Sequence, residues 1–188
     1  MRVVGRWLVA GLCVMLAACA TPQKIGAPSA GKAFERVGRF ALSVHHANGK
    51  QDAVQGGFAW LDSGQQLQLD LANPLGSTLA RVLVKANQAV LTRSDGSQQT
   101  ASHPDALVEL VLGSPIPVAG LRDWLQGRTG DGSVAQLQVD AQGRVLSFTQ
   151  NGWRVRLSRY DAQGPTLLQL NRNDAVRDIS VRLVADSH

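Results

Sequence analysis

The chain has 188 residues, a formal net charge of +5 and 44% apolar residues, a length that suits one domain with a sizeable core. Its Lys and Arg are scattered singly with no aromatic interleaving, which excludes nucleic acid as the partner class. Both cysteines, Cys13 and Cys19, stand near the start, so the body has no thiol for a disulfide framework, thiol catalysis or a Cys-based zinc site.

Residues 1–18 carry Arg2 and Arg6, an apolar run from Trp7 to Leu16 and small residues before Cys19. This is a secretory signal, too short to span a membrane. Leu16-Ala17-Ala18-Cys19 resembles a bacterial lipobox, which makes Cys19 the acylated first residue of the mature protein. Several chains on one cysteine anchor stably, because each buried methylene contributes roughly 0.8 kcal/mol. Ala20 stands where an Asp would signal retention at the inner membrane, which points to the outer membrane. Residues 19–32 then form the anchor and a small, polar, Pro- and Gly-containing tether. Within it Gly26-Ala27-Pro28-Ser29-Ala30-Gly31-Lys32-Ala33 is close to a phosphate-binding loop, but Ala33 replaces the metal-binding Ser or Thr and no strand precedes it. The body comprises residues 33–188.

Phe40, Leu42 and Val44 alternate with Ala41, Ser43 and His45, the period of a half-buried strand. A turn at Asn48-Gly49-Lys50 leads to a second run ending Gly56-Gly57-Phe58-Ala59-Trp60, whose paired glycines predict a bulge or sharp curvature. Leu67, Leu69 and Leu71 define one face of a third strand. Next, Ala72-Asn73-Pro74-Leu75-Gly76-Ser77 combines three turn formers with a leucine, which places Leu75 out in solvent. Strands over 79–84 and 89–92 follow, as antiparallel hairpins with one wet face.

The period then changes. Ser102-His103-Pro104-Asp105 starts a helix with Leu107, Leu110 and Val111 on one face, stopped by Gly113. After Pro115-Ile116-Pro117 a second short helix presents Val118, Leu121, Trp124 and Leu125 and ends at Gly127. Two such helices between sets of strands must cover a sheet face. Ala135, Leu137 and Val139 form the apolar side of the next strand. The run 145–150 meets Trp153, Val155 and Leu157 across an Asn151-Gly152 hairpin signal. Leu168 and Leu170, then Ile179, Val181 and Leu183, complete about ten short strands, a sandwich or a barrel.

No chemistry-bearing constellation accompanies this pattern. His45 and His46 point to opposite faces of one strand, His103 opens a helix and His188 ends the chain, so no metal site is expected. There is no Gly-x-Ser-x-Gly elbow and no His-Glu-x-x-His motif. Neither an enzymatic activity nor a cofactor is expected. Trp60, Trp124 and Trp153, drawn from a strand, a helix and a strand, either fill an ordinary core or wall a dry cavity.

Gly57-Phe58-Ala59-Trp60, Asn73-Pro74-Leu75-Gly76-Ser77, Leu112-Gly113-Ser114-Pro115-Ile116-Pro117-Val118, Leu121-Arg122-Asp123-Trp124-Leu125-Gln126-Gly127 and Gln150-Asn151-Gly152-Trp153 stand in an order and spacing that resembles the LolB family of outer-membrane lipoprotein receptors. The resemblance runs from Gly38 to about Val184. It implies a mainly β fold, an incomplete antiparallel barrel of about eleven strands, with short helices as a lid over a hydrophobic cavity. It also implies a receptor that accepts acylated lipoproteins from the periplasmic carrier LolA and passes them to outer-membrane phospholipid, acting as a monomer anchored at the periplasmic face. Pro74, Leu75 and Gly76 would then be a membrane-insertion loop. The acyl-chain cavity would draw on Phe40, Leu42, Trp60, Leu69, Leu71, Leu121, Trp124, Trp153 and Val155. The chain ends Arg182-Leu183-Val184-Ala185-Asp186-Ser187-His188, without the Trp-bearing strand frequent in the family, which predicts a shorter last strand and leaves closure at that edge open. The alternative is a structural envelope lipoprotein with a packed barrel core and a protein-binding loop.

Overall fold

The computed structural model describes residues 33–187 apart from Asn87. The signal segment, Cys19, the tether up to Lys32 and His188 lie outside the described residues. Thirteen elements follow in order: β1 (Phe34–His46), β2 (Gln51–Asp62), β3 (Leu67–Ala72), β4 (Thr78–Lys85), β5 (Gln88–Arg93), β6 (Gln98–Ala101), α1 (Pro104–Leu112), α2 (Val118–Trp124), β7 (Val134–Val139), β8 (Val145–Gln150), β9 (Trp153–Tyr160), β10 (Pro165–Asn173) and β11 (Arg177–Ala185).

All eleven strands form one antiparallel sheet in the order β6-β5-β4-β3-β2-β1-β11-β10-β9-β8-β7. The first and last strands are joined at the centre, with Phe40 opposite Leu183 and Leu42 opposite Val181. The two edges are therefore β6 and β7, which do not pair, and the sheet is an unclosed barrel. The chain passes from one edge to the other through α1 and α2. That single crossover is why the helices lie across the sheet's inner face, and α1 packs on β4, β5 and β6.

Period-two alternation sends Phe40, Leu42, Trp60, Leu69, Leu71, Val82, Leu91, Val155, Leu170 and Val181 into one continuous core. Fully burying a large apolar side chain stabilises by roughly 1.5–3 kcal/mol, so this face outweighs every surface interaction of the molecule. Asn151 and Gly152 take φ of 51° and 78°, which is the left-handed pair that the tight β8–β9 turn requires.

Five expectations are corrected. The glycines of β2 mark no bulge, because β1 and β2 keep one register from end to end; a side chain on Gly56 would instead come within 2.1 Å of the Ala72 carbonyl oxygen. β6 has no apolar alternation to reveal it, since Gln98, Gln99 and Thr100 lie on an exposed edge. In β7, Leu137 and Val139 are not inward-facing: each is 53% exposed, on an edge strand whose register shifts twice against β8. The last strand is neither short nor at an edge; β11 runs nine residues between β1 and β10, so the opening lies between β6 and β7. In α1 the buried positions are Leu107, Val108 and Leu112, and Leu110 is exposed.

Candidate functional site

Between the inner face of the sheet and the helices lies a cavity of about 30 Å³. Its walls come from β1 (Phe40), β2 (Phe58, Trp60), β3 (Leu69, Leu71), β11 (Leu183), α1 (Val108, Leu112), the interhelical link (Ile116), α2 (Leu121) and Leu125 just after it. No lining residue is charged, and the one polar atom among these side chains is the Trp60 indole nitrogen. The volume is about one water's share of the liquid, too small for an acyl chain.

Of the nine residues expected at an acyl-chain cavity, Phe40, Trp60, Leu69, Leu71 and Leu121 are brought together here. Leu42, Trp124, Trp153 and Val155 are buried in the same core but do not line the cavity. Trp124 packs edge-on against Phe148 with ring centroids 5.8 Å apart, and Arg172 covers the Trp153 ring at 5.9 Å. Sequence reasoning missed six lining residues. Phe58 stands two places from Trp60 and Leu183 two from Val181, so alternation alone could have found both. Val108 and Leu112 needed the correct rotation of α1, Ile116 lies outside the helices and carries no periodic signal, and Leu125 stands on the apolar stripe read for the second helix but just past its end.

Three polar attachments hold the lid. Arg122 of α2 donates from Nε and Nη2 to the Asp62 carboxylate at 2.6 and 2.8 Å, and from Nη2 to the Gly64 carbonyl at 2.5 Å. Hydrogen bonding to Asp62 raises the Arg122 guanidinium above its ordinary value. The Trp124 indole donates to buried Gln150 Oε1 at 3.0 Å, and Gln150 also exchanges hydrogen bonds with the Gly130 backbone at 3.1 and 2.8 Å. Asp105 in the first turn of α1 accepts the Ala119 backbone N–H at 3.0 Å, and its burial pushes its carboxyl above the usual range. Gly120 is required beside Trp124, whose ring would lie 2.7 Å from any added Cβ. A wider cleft of about 690 Å³ borders the outer side of α2, with Leu67, Val84 and Val118 on its apolar floor.

The loop after β3 begins two residues beyond the cavity-lining Leu71. Asn73 Oδ1 accepts the backbone N–H of Leu75 at 2.9 Å and of Ser77 at 3.0 Å, the Asn73 carbonyl accepts from Gly76 at 2.9 Å, and Asn73 N–H donates to the Ser77 carbonyl at 2.9 Å. Gly76 takes φ of 88°, open to glycine without strain. Pro74 and Gly76 are exposed, and Leu75 is 92% exposed. A large aliphatic side chain is thus held in solvent by a hydrogen-bonded turn that follows the cavity-lining strand β3.

The histidines are dispersed: His46 pairs with Asp52 at 2.9 Å, His45 is exposed on the opposite face, and His103 precedes α1. No described helix is long and apolar enough to cross a membrane.

The molecule is an unclosed antiparallel barrel, lidded by the crossover between its own edges around a small cavity walled by apolar and aromatic side chains. The family model described as outer membrane lipoprotein LolB matches residues 32–187, and the chain belongs to that family. It is 57% identical to the outer-membrane lipoprotein LolB of Bordetella petrii, over 94% of this chain and 89% of the relative. It is 37% identical to the outer-membrane lipoprotein LolB of Cupriavidus necator, over 94% and 92% respectively. A LolA superfamily protein of known structure from Nitrosomonas europaea covers 82% of this chain and 86% of its own, at 8% identity and a TM-score of 0.45.

Proposed function

We propose that this protein is an outer-membrane receptor that takes acylated lipoproteins from the periplasmic carrier LolA and delivers their acyl chains into outer-membrane phospholipid without catalysis. The observation that carries the reading is the closed cavity walled by Phe40, Phe58, Trp60, Leu69, Leu71 and the lid helices. Keeping acyl chains from water is worth roughly 25 cal/mol per Å² of apolar surface, so a receptor must offer a dry wall throughout transfer. Opening of α1 and α2 exposes that wall, and the bound chain replaces the lid's apolar contacts. Transfer then runs down a series of rising affinities from carrier to receptor to bilayer, with no nucleotide. Cys19 and the tether hold the domain at the periplasmic face of the membrane as a monomer. Leu75 dips into the bilayer as the chains leave.

Release of a fluorescent triacylated peptide from LolA on adding this protein, followed by its arrival in outer-membrane vesicles, tests the reading. Saturable binding and onward delivery are expected; no binding by the purified protein overturns it. The small size of the cavity favours a second reading, a structural envelope lipoprotein with a packed core and a protein-binding loop. That reading predicts no change in tryptophan fluorescence when acylated peptide is added.

A further inference from the structure

Arginines that are scattered along the sequence are gathered by strand pairing. Arg154 and Arg156 of β9, Arg182 of β11 and Arg39 of β1 alternate with buried Val155, Leu157, Val181, Leu183 and Phe40. All four therefore project from the outward side of the adjacent strands β9-β10-β11-β1, and all four are exposed. Register places Arg156, Gln169, Arg182 and Ala41 on one cross-strand row. With strands about 4.8 Å apart, the backbones of Arg156 and Arg182 stand roughly 10 Å from each other, and Arg154 lies about 7 Å further along β9. No ion pair neutralises any of the four among the described residues. The exposed Arg81, Arg128 and Arg144, by contrast, are matched to Asp70, Asp123 and Asp140 at 2.6, 2.9 and 2.6 Å. The acids on the outward side of these four strands are Glu35 and Asp178, four residues along the chain from Arg39 and Arg182, and Asp178 already accepts from Asn173. Arg154 and Arg156 also border an open groove of about 590 Å³, whose walls include the uncharged polar Ser147, Thr149, Ser158 and Gln169. Unpaired guanidiniums among uncharged polar groups suit phosphate oxygens.

The same register locates this patch relative to the exposed leucine. Ala72, Gly57, Arg39, Val184, Leu167 and Ser158 share one row, and the chain leaves β3 at Ala72 into the turn that carries Leu75. Arg156 and Arg182, then Arg154, occupy the rows beyond it, on the side toward which that turn leaves β3. We infer that Arg39, Arg154, Arg156 and Arg182 form a docking surface for the phosphate groups of anionic phospholipid, which turns the Leu75 end of the sheet toward the bilayer. This rests on the membrane-delivery reading above and adds an electrostatic contact to the apolar one. The patch favours a lipid surface over an acidic protein. Its charges are spread over neighbouring strands, and no exposed large apolar side chain stands on their rows to make the apolar core that a protein interface has.

The test uses the mature chain, residues 19–188, with Cys19→Ala to remove the anchor, and follows its co-sedimentation with vesicles of phosphatidylcholine made with or without phosphatidylglycerol. This parent protein is expected to bind the phosphatidylglycerol vesicles and to be released by high salt, which screens exposed charges. Arg156→Gln and Arg182→Gln should each weaken binding about fivefold, the worth of one basic residue at an anionic surface, and together about 25-fold. Arg144→Gln removes the same charge from the β7–β8 turn and should change binding by less than about twofold. In bicelles holding phosphatidylglycerol and a lipid with a spin-labelled headgroup, the parent's amide signals of Gln169 and Arg182 should broaden more than those of Gln98 and Gln99 on β6, a readout that needs no variant to fold. Binding indifferent to phosphatidylglycerol, equal losses in Arg144→Gln and the patch variants, or broadening centred on β6 overturns the inference. Patch variants that bind vesicles as the parent does also overturn it and leave the arginines to an acidic protein. The double variant should still bind a triacylated peptide as the parent does. Failure of the parent to bind that peptide overturns the carrier reading, a separate result.

Discussion

Arg122 grips Asp62 through two hydrogen bonds of 2.6 and 2.8 Å and so fastens α2 to the end of β2. Asp62 is buried, whereas the Arg122 side chain is 37% exposed, so the latch can be reached from solvent without unfolding the sheet. Arg122→Ala leaves the buried carboxylate without its cation and should cost about 1–3 kcal/mol, reduced from a fully buried pair by the exposure of Arg122. If the latch holds the lid shut, stopped-flow binding of a fluorescent fatty acid should be faster in the variant. Unchanged association together with the stability loss would make the pair merely structural.

Leu75→Glu should leave the denaturation midpoint within about 0.5 kcal/mol of wild type, because the side chain touches almost nothing. Delivery of lipoprotein into vesicles should fall sharply, since the carboxylate resists transfer into the bilayer. Asn73→Ala removes two hydrogen bonds and should loosen the turn by about 1 kcal/mol while keeping the leucine. Partial loss of delivery in that variant would show that the rigid presentation of Leu75 matters as well as its polarity.

Gly38→Ala should prevent folding or cost about 3 kcal/mol or more. A Cβ there would lie 2.2 Å from the Val184 carbonyl oxygen, backbone that cannot give way without parting β1 from β11. Circular dichroism and the yield of soluble protein measure the outcome.

The buried Arg36 beside Asp161 holds the Asp161 carboxyl well below the usual carboxylate range. A carboxyl depressed in the folded state stabilises fully above its ordinary pKa, and that contribution is lost as the pH falls through the folded value. Wild-type stability should therefore decline on acidification below about pH 4. Asp161→Asn should be less stable at neutral pH by about 3–5 kcal/mol, because Arg36 is left buried without its counter-charge, and should show a shallower acid slope. Urea titrations between pH 2 and 7 give both quantities.

The alternation of Phe40, Leu42 and Val44, of Leu67, Leu69 and Leu71, and of Trp153, Val155 and Leu157 is legible in the sequence because each strand has one dry and one wet face. The Asn151-Gly152 turn and the Asn73 turn that exposes Leu75 are legible for a related reason: their backbone conformations depend on a few adjacent residues. Edge strands lose that signature. β6 is exposed on nearly every side chain, and in β7 the regular spacing of Leu137 and Val139 meets no inner layer to bury it.

The chain by itself thus determined the class of strands, the two helices with their need for a sheet to cover, and the solvent-exposed leucine. Pairings across long separations were decided only in three dimensions, because no local pattern records them: Arg36 with Asp161, 125 residues apart, and Arg122 with Asp62, 60 apart. The tertiary structure also decided that the last strand joins the first at the centre of the sheet, which moves the opening to β6 and β7. It alone set the cavity's volume, since that is the small difference between an enclosed space and the side chains that nearly fill it. It also left the buried Trp60 N–H without an acceptor among the described residues, a fact about every neighbouring residue at once.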